Sequence, residues 1–129
     1  MREVITAPLP GLDLRQHYGH YQSPAIRAGG LVFCSGMIPV DPQTGERTRG
    51  TTARETHQIL ANLKLMLEAA GSSLGKVVKV NVLLHSMLEA PNMNEVFARC
   101  FPEPPPARTV CGACLPDGVR VMIECTALA

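Results

Sequence analysis

Residues 104–129 read PPPARTVCGACLPDGVRVMIECTALA and contain two apolar, β-rich runs separated by Pro-Asp-Gly at residues 116–118. The first run predicts a strand from residue 108 to about residue 115, and the second predicts a strand over residues 119–128. Because Pro-Asp-Gly between two such runs is typical of a hairpin turn, the two strands are predicted to pair with each other.

Two charged residues mark these predicted strands. Arg108 follows three consecutive prolines and Ala107, which favour extended backbone, so its guanidinium is expected at the mouth of a strand. Glu124 is the only acidic residue between positions 119 and 129, so its carboxylate is paired, solvated at an edge or functional. The pattern alone leaves Arg108 as either a ligand-binding or a surface arginine, and it favours an outward-facing strand position for Glu124.

The N-terminal third of the chain predicts short strands followed by one longer strand. Residues 2–6 alternate and are β-rich, and residues 17–28, interrupted by a proline, can form a strand only at an edge or with a break. Residues 30–40 (GLVFCSGMIPV) predict a better strand. Its small pair, Ser35 and Gly36, indicates a bulge or a place where backbone or ligand comes close.

The middle of the chain predicts two helices on either side of a strand. Residues 52–70 have the apolar periodicity of an amphipathic helix, with Thr52 and Glu55 at capping-box spacing and Gly71 as the stop. The other elements predicted here are a strand over residues 77–84 and a helix core over residues 90–101.

These elements predict an α+β fold. Their order is β(β)β-α-β-α-β-β, which favours about six strands in one mixed sheet with both helices packed on one face. A chain of 129 residues is long enough to bury a core and too short for two domains of typical size, so residues 1–129 are predicted to form a single domain.

Composition disfavours nucleic-acid and membrane partners. The net charge is +1, no run of Lys and Arg exceeds two residues, and the chain has no Trp, two Tyr and three Phe, so both a phosphate-binding surface and base-stacking platforms are lacking. The N-terminus lacks the pattern of a signal peptide and no apolar run approaches about 18 residues. We therefore expect a soluble protein of the cytoplasm, and a mitochondrial location is compatible with the sequence.

The five cysteines are an odd number, mostly within apolar runs, and predict buried thiols in a reducing compartment. Cys111 and Cys114 form a C-x-x-C pair, which is found in redox and zinc sites. Because the chain has no second C-x-x-C and no paired histidines at metal spacing, strand packing is favoured over either role. No metal or organic cofactor is expected.

Several blocks of the sequence together resemble the RidA/YjgF family of small imine and enamine deaminases. They are GGLVFCSGMIPVDPQTGE, LEAAGSSLGKVVKV, NEVFARCF, PPARTV and the terminal IEC, in the family's order from about Gly19 to the C-terminus. The resemblance implies a chorismate-mutase-like α+β subunit and a homotrimer around a central barrel of sheets, with clefts between neighbouring subunits. It also implies hydrolysis of 2-iminobutanoate, 2-iminopropanoate or 2-aminoacrylate to the 2-oxo acid and ammonia.

The resemblance assigns roles to individual residues. Arg108 matches the arginine that binds the substrate carboxylate, for which a planar, two-pronged donor is suited. Glu124 matches the glutamate that activates water and returns a proton to the leaving nitrogen. Tyr21, in G-H-Y where the family has G-P-Y, is expected to donate into the cleft or close over it, with interface packing as the alternative.

Four further positions complete the implied substrate-binding site. Ser35 and Gly36 match a pair whose backbone approaches the ligand, and Asn94 matches an asparagine near the cleft, although helix capping would also explain it. Val110 takes the substrate-binding position at which many bacterial members have cysteine, which is the first of three departures from the family pattern. The segment after Arg108 is also one residue shorter than usual, so that Val110, Cys111 and Gly112 could shift by one residue in the alignment. A glutamine is common where this chain has Met37, which would alter the pocket's polarity.

The sequence alone leaves other functions open. A non-catalytic trimer that binds small carboxylates would use the same residues without turnover, because a fold does not determine a function. Ribonuclease or translation-inhibitor activity has been attached to some relatives, and the near-neutral charge disfavours it.

Overall fold

Six strands form a single mixed sheet in the computed structural model, which describes residues 1–129. Their order across the sheet is β1-β2-β3-β6-β4-β5, and every neighbouring pair is antiparallel except β4 and β5, which are parallel. The prediction of an α+β fold with about six strands in a mixed sheet is therefore confirmed. The strands are β1 (Glu3–Ile5), β2 (Ala25–Ala28), β3 (Leu31–Met37), β4 (Val77–Leu84), β5 (Ala107–Gly112) and β6 (Val121–Leu128).

Two long helices and one short helix accompany the sheet. The short α1 (Arg15–Tyr18) was not predicted, whereas α2 (Thr52–Ala69) and α3 (Ala90–Cys100) match the two predicted helices closely. Helix α2 packs on β3 and β6, and α3 packs beside α2. Side chains from both helices join the strands in one hydrophobic cluster. None of the helices is both long enough and apolar enough to cross a bilayer.

The start of α2 differs from the predicted capping box by one residue. The N-cap is Thr51, whose Oγ1 accepts a hydrogen bond from the Arg54 backbone N–H at 3.1 Å. This places Glu55 one position beyond the site from which a glutamate reaches back to the cap. Glu55 is buried instead, and its Oε1 accepts from the Arg120 backbone N–H at 2.8 Å, which joins α2 to the segment before β6.

Replacing Thr51 with alanine is expected to lower the free energy of unfolding by about 1 kcal/mol, because the Arg54 N–H loses its acceptor. The conservative Thr51→Ser keeps a hydroxyl at the cap and should leave stability close to wild type. Urea denaturation of the two variants measures the difference. Equal midpoints for Thr51→Ala and Thr51→Ser would show that this cap does not stabilise the helix.

The hairpin predicted between β5 and β6 is wrong. Strand β4 lies between them, pairing in parallel with β5 and antiparallel with β6. Residues Pro116–Gly118 form a short 3-10 turn in which Asp117 has a φ of 53°, and the Asp117 side chain pairs with Arg47 at 2.7 Å. A turn motif predicts that the chain reverses direction, but it does not specify which strand the returning segment joins. The long apolar strands β4 and β6 are buried together at the centre of the sheet.

One face of the sheet is left uncovered by the chain's own helices. In β6 the odd-numbered residues from Val121 to Ala127 are buried, while the even-numbered residues point to the opposite side, as strand alternation requires. We call this second side the open face. It carries both apolar and polar side chains, namely Phe33, Lys79, Asn81, Met122, Glu124 and Thr126.

Candidate active site

Arg108 lies near the start of β5 and contacts α3. It is paired with Val80 of β4, whose side chain is fully buried, so Arg108 projects toward the helix-covered side of the sheet. Its Nη1 donates to Asn94 Oδ1 at 2.8 Å, and its guanidinium lies 4.8 Å from the centroid of the Phe97 ring. The amide and the aromatic face hold the guanidinium at a fixed place while it remains exposed for a ligand.

Arg108 forms one wall of an open cleft of about 370 Å³, which we call the arginine cleft. Helix α3 supplies the opposite wall, and the segment before β5 supplies a prolyl rim at Pro105 and Pro106. The prolines keep the backbone extended before Arg108, as the sequence predicted. Asn94 lines the same cleft, so the structure places this predicted pair together.

Glu124 lies on the open face, in the middle of β6. Its neighbour in β4 is Asn81, whose Nδ2 donates to Glu124 Oε1 at 2.8 Å. The predicted outward orientation of Glu124 is therefore correct, and its carboxylate is hydrogen-bonded to an amide. This partner could not be predicted from the sequence, because the pairing of β4 with β6 depends on the strand order across the sheet.

Glu124 also lines a second cleft, of about 640 Å³, which we call the glutamate cleft. Tyr21 and Ser35 line it as well, so three predicted residues meet there. Tyr21 is 95% exposed, which leaves its ring free to close over a ligand or to contact another chain. Ser35 is fixed by its Oγ, which donates to the Ser23 backbone oxygen at 2.6 Å.

Gly36 follows Ser35 at a bulge in β3, as this pair of small residues predicted. The register changes from Cys34 opposite Cys125 to Met37 opposite Ile123, which places one extra residue in β3. A Cβ added to Gly36 would lie 2.9 Å from the Met122 sulfur, so the glycine allows this side chain to pack against the strand. Met37 is buried in the core and lines neither of the two clefts, so its effect on the polarity of the site stays a prediction.

The residues that follow Arg108 have a defined register. Val110 is paired with Val82 and packs against the core, on the same side of the sheet as Arg108. It lines neither of the two clefts. Cys111 is exposed and, by alternation, belongs to the opposite side. The register therefore directs the side chain of Val110 to the core.

The C-x-x-C pair is not arranged as a disulfide or a metal site. The Ala113 N–H donates to the Leu84 oxygen at 2.8 Å and continues the ladder beyond β5, so the segment is extended. Three extended residues span about 10 Å, which exceeds the reach of a disulfide. No group of three or more histidine, cysteine or acidic side chains converges to hold a metal ion. Cys111 and Cys114 are exposed, contrary to the expectation of buried thiols.

Cys34 and Cys125 are buried thiols that face each other across β3 and β6. The hydrogen bond between them lowers the pKa of Cys34 and raises the pKa of Cys125, and burial raises the latter further. The pair joins the two strands next to Ser35 and Glu124 in the sequence. Neither thiol is therefore placed as the exposed, activated cysteine of a nucleophilic mechanism.

The two clefts lie on different sides of the sheet within one chain. Strand β4 shows this directly, because Arg108 is paired with the core-facing Val80, whereas Glu124 is paired with the next residue, Asn81, on the open face. A small substrate bound to one chain therefore cannot contact both charged groups. The predicted residues Arg108 and Asn94 therefore lie in one cleft, and Glu124, Tyr21 and Ser35 lie in the other.

Comparison with known proteins identifies the family. A family model described as Endoribonuclease L-PSP matches residues 14–129. A RutC family protein of Pyrococcus horikoshii is 44% identical, and the alignment covers 98% of this chain and 98% of that protein. A 2-iminobutanoate/2-iminopropanoate deaminase of Dermatophagoides farinae is 35% identical, over 95% of this chain and 93% of that protein. The crystal structure of RidA from an Antarctic Psychrobacter has a TM-score of 0.81 at 37% identity, covering 85% of this chain and 89% of that one. Because the family model and these relatives span most of the sequence, the chain belongs to the RidA/YjgF family.

Proposed function

We propose that the protein is a deaminase that hydrolyses small 2-imino acids and their enamine tautomers to 2-oxo acids and ammonia. The proposal rests on the charged groups of the two clefts. The arginine cleft holds an exposed arginine, and the glutamate cleft holds a glutamate that accepts a hydrogen bond from an amide. The substrate class has both chemical features that these groups address, a carboxylate and an electrophilic C=N carbon. The name of the mite relative, a 2-iminobutanoate/2-iminopropanoate deaminase, supports the same substrate class.

The proposal requires the arginine cleft of one subunit to meet the glutamate cleft of its neighbour. Two features of the chain favour such an assembly. The open face has no covering element within the chain, and Phe33 and Leu128 at that face are 44% and 49% exposed. The assembly we propose is a homotrimer in which the sheets form a central barrel, with three equivalent clefts between subunits.

In this arrangement Arg108 binds the substrate carboxylate through two charge-assisted hydrogen bonds and fixes the orientation of the imine. The imine reacts in its protonated form. Glu124 takes a proton from water as the water oxygen bonds to the imine carbon, and the C=N electron pair moves to the nitrogen, giving a neutral carbinolamine. Glu124 then passes its proton to the nitrogen and takes the hydroxyl proton as the C–N bond breaks, so that ammonia leaves, the carbonyl forms and the proton on Glu124 returns to solvent. An enamine such as 2-aminoacrylate first takes a proton at its terminal carbon to become the same protonated imine.

The remaining predicted residues have supporting roles. Tyr21 is exposed enough to cover the bound imine, and Ser35 contributes to the wall of the glutamate cleft. Gly36, the next residue, allows β3 to bulge beside this wall. Asn94 holds the guanidinium of Arg108. Val110 packs against the core on the same side of the sheet as Arg108, and we assign it no direct contact with the substrate. This chemistry needs no metal or organic cofactor, since the conjugated imine is already electrophilic.

Coupled turnover tests the proposal. A PLP-dependent serine or threonine dehydratase generates 2-aminoacrylate or its four-carbon analogue, and the release of pyruvate or 2-oxobutanoate is followed with and without the protein. We expect release to be faster with the protein and proportional to its concentration. Equal rates with and without protein would refute the deaminase function.

RNA is the alternative substrate that the family description Endoribonuclease L-PSP suggests. The net charge of +1 and the scarcity of aromatic residues give it little support. An RNA-cleavage assay on the same preparation separates the two functions. Cleavage that copurifies with the protein and depends on Glu124 would favour the ribonuclease.

A further inference from the structure

Asn81 is the one polar residue of β4 that contacts Glu124. The strand reads VVKVNVLL, and Asn81 stands in its middle between two buried valines, Val80 and Val82. It lies directly across from Glu124 in β6 and donates its Nδ2 hydrogen to Glu124 Oε1 at 2.8 Å. Both residues line a shallow pocket of about 180 Å³ on the open face, together with Thr126 and Lys79.

The contact restricts how Glu124 can act. A glutamate side chain has free rotation about its terminal bonds unless one carboxylate oxygen is held, and an amide N–H bond to Oε1 holds one of them. The other oxygen keeps its full capacity as a hydrogen-bond acceptor. The two residues are on adjacent strands of the rigid central sheet, so the separation of their backbones is fixed by the ladder.

We propose that Asn81 is a positioning residue for Glu124, which fixes Oε1 and leaves Oε2 to bind and deprotonate the attacking water. This role for Asn81 rests on the proposed deaminase function, in which Glu124 is the base. Asn81 touches neither the carboxylate of the substrate nor the reacting carbon in this scheme. Its effect on the reaction passes entirely through the orientation of the Glu124 carboxylate.

Other charged groups face the same region and are left in place by a change at Asn81. Lys79 lies two residues earlier in β4, and its Nζ donates to Thr109 Oγ1 at 3.0 Å. Arg2, Arg15 and His20 line the glutamate cleft, and Arg15 is paired with Asp13 at 2.7 Å. None of them forms an ion pair with Glu124, so Asn81 is its sole hydrogen-bond partner among the side chains.

Two substitutions test the inference. Asn81→Val removes the donor and suits a β-strand, and Asn81→Asp keeps the shape but places a second carboxylate beside Glu124. We expect kcat to fall by about 10-fold or more in both, with KM within about twofold of wild type, since a positioned base acts on the chemical step. Asn92→Asp is the matched control, because Asn92 donates to Glu89 Oε1 at 3.3 Å outside both clefts, and it should retain wild-type kcat.

The position of the Glu124 carboxylate in crystal structures of the variants supplies a readout that does not depend on turnover. In Asn81→Val we expect the carboxylate to leave its wild-type orientation or to occupy several, because Oε1 loses its donor, whereas Asn92→Asp should keep the wild-type orientation. A single, unchanged orientation in Asn81→Val, or wild-type kcat in either folded variant, would overturn the role of Asn81. Absence of turnover in the wild-type protein would instead refute the deaminase function, and the orientation of the carboxylate would still decide whether Asn81 positions Glu124.

Discussion

Replacing Arg108 with alanine is expected to lower kcat/KM for 2-iminopropanoate by about 10²- to 10³-fold, because two hydrogen bonds to a charged carboxylate contribute about 1.5–3 kcal/mol each and water replaces them in part. Most of the loss should appear in KM, since the carboxylate is bound in the ground state as well as in the transition state. Steady-state kinetics with the coupled dehydratase assay measures both parameters.

The control for this variant is Arg99→Ala. Arg99 is a surface arginine of α3, 67% exposed and paired with Glu95 one helical turn away, and it lies outside both clefts. Its loss should leave kcat/KM unchanged, and stability should change by less than about 1 kcal/mol. Wild-type kinetics for Arg108→Ala would exclude Arg108 as the carboxylate-binding group.

Replacing Glu124 with glutamine is expected to lower kcat by about 10²- to 10⁴-fold, the range that general acid–base catalysis provides. Glutamine keeps the size of the side chain and an oxygen that can accept from Asn81, so the fold and the affinity for a 2-oxo acid product should be nearly unchanged. Initial rates and calorimetric binding of 2-oxobutanoate measure the two quantities separately.

This variant also separates an enzyme from a binding module. Glu95→Gln, an exposed glutamate of α3, is the matched control and should retain full activity. A non-catalytic protein would bind 2-oxobutanoate equally in wild type and Glu124→Gln and would show no turnover in either. Turnover of Glu124→Gln at the wild-type rate would exclude Glu124 as the base.

Much of the fold could be predicted from local patterns. The strand over residues 77–84 and the helices α2 and α3 have strong periodicity, and the structure reproduces their positions to within one residue. Gly71 has a φ of 79°, a conformation that suits glycine just beyond a helix end, and so it was a reliable stop signal. These features depend on neighbours in the sequence, which is why the sequence reveals them.

The errors concern contacts between distant segments. The turn at residues 116–118 gave the right change of direction and the wrong partner, because the position of β6 between β3 and β4 is decided by burial of the whole sheet. Glu55 was predicted to cap its own helix, yet it accepts from Arg120, which is 65 residues away. A local motif does not show which distant segment will pair with a strand or bond to a side chain.

The site shows the same limit. The strand pattern marks Arg108 and Glu124, the resemblance to a family assigns their roles, and the structure shows that each lines an open cleft. Asn81 was missed, since its importance depends on the register between β4 and β6. The separation of the two clefts also required the strand pairing, which shows on which side of the sheet each residue lies.

Subunit mixing tests whether every active site combines the arginine cleft of one subunit with the glutamate cleft of another. Arg108→Ala and Glu124→Gln are unfolded together in equal amounts, refolded and assayed for 2-oxo acid release. Because each cleft draws its two walls independently from the mixture, we expect about one quarter of wild-type activity to return from two inactive parents. A mixture no more active than the parents, from refolded protein that forms mixed oligomers, would contradict a site shared between subunits.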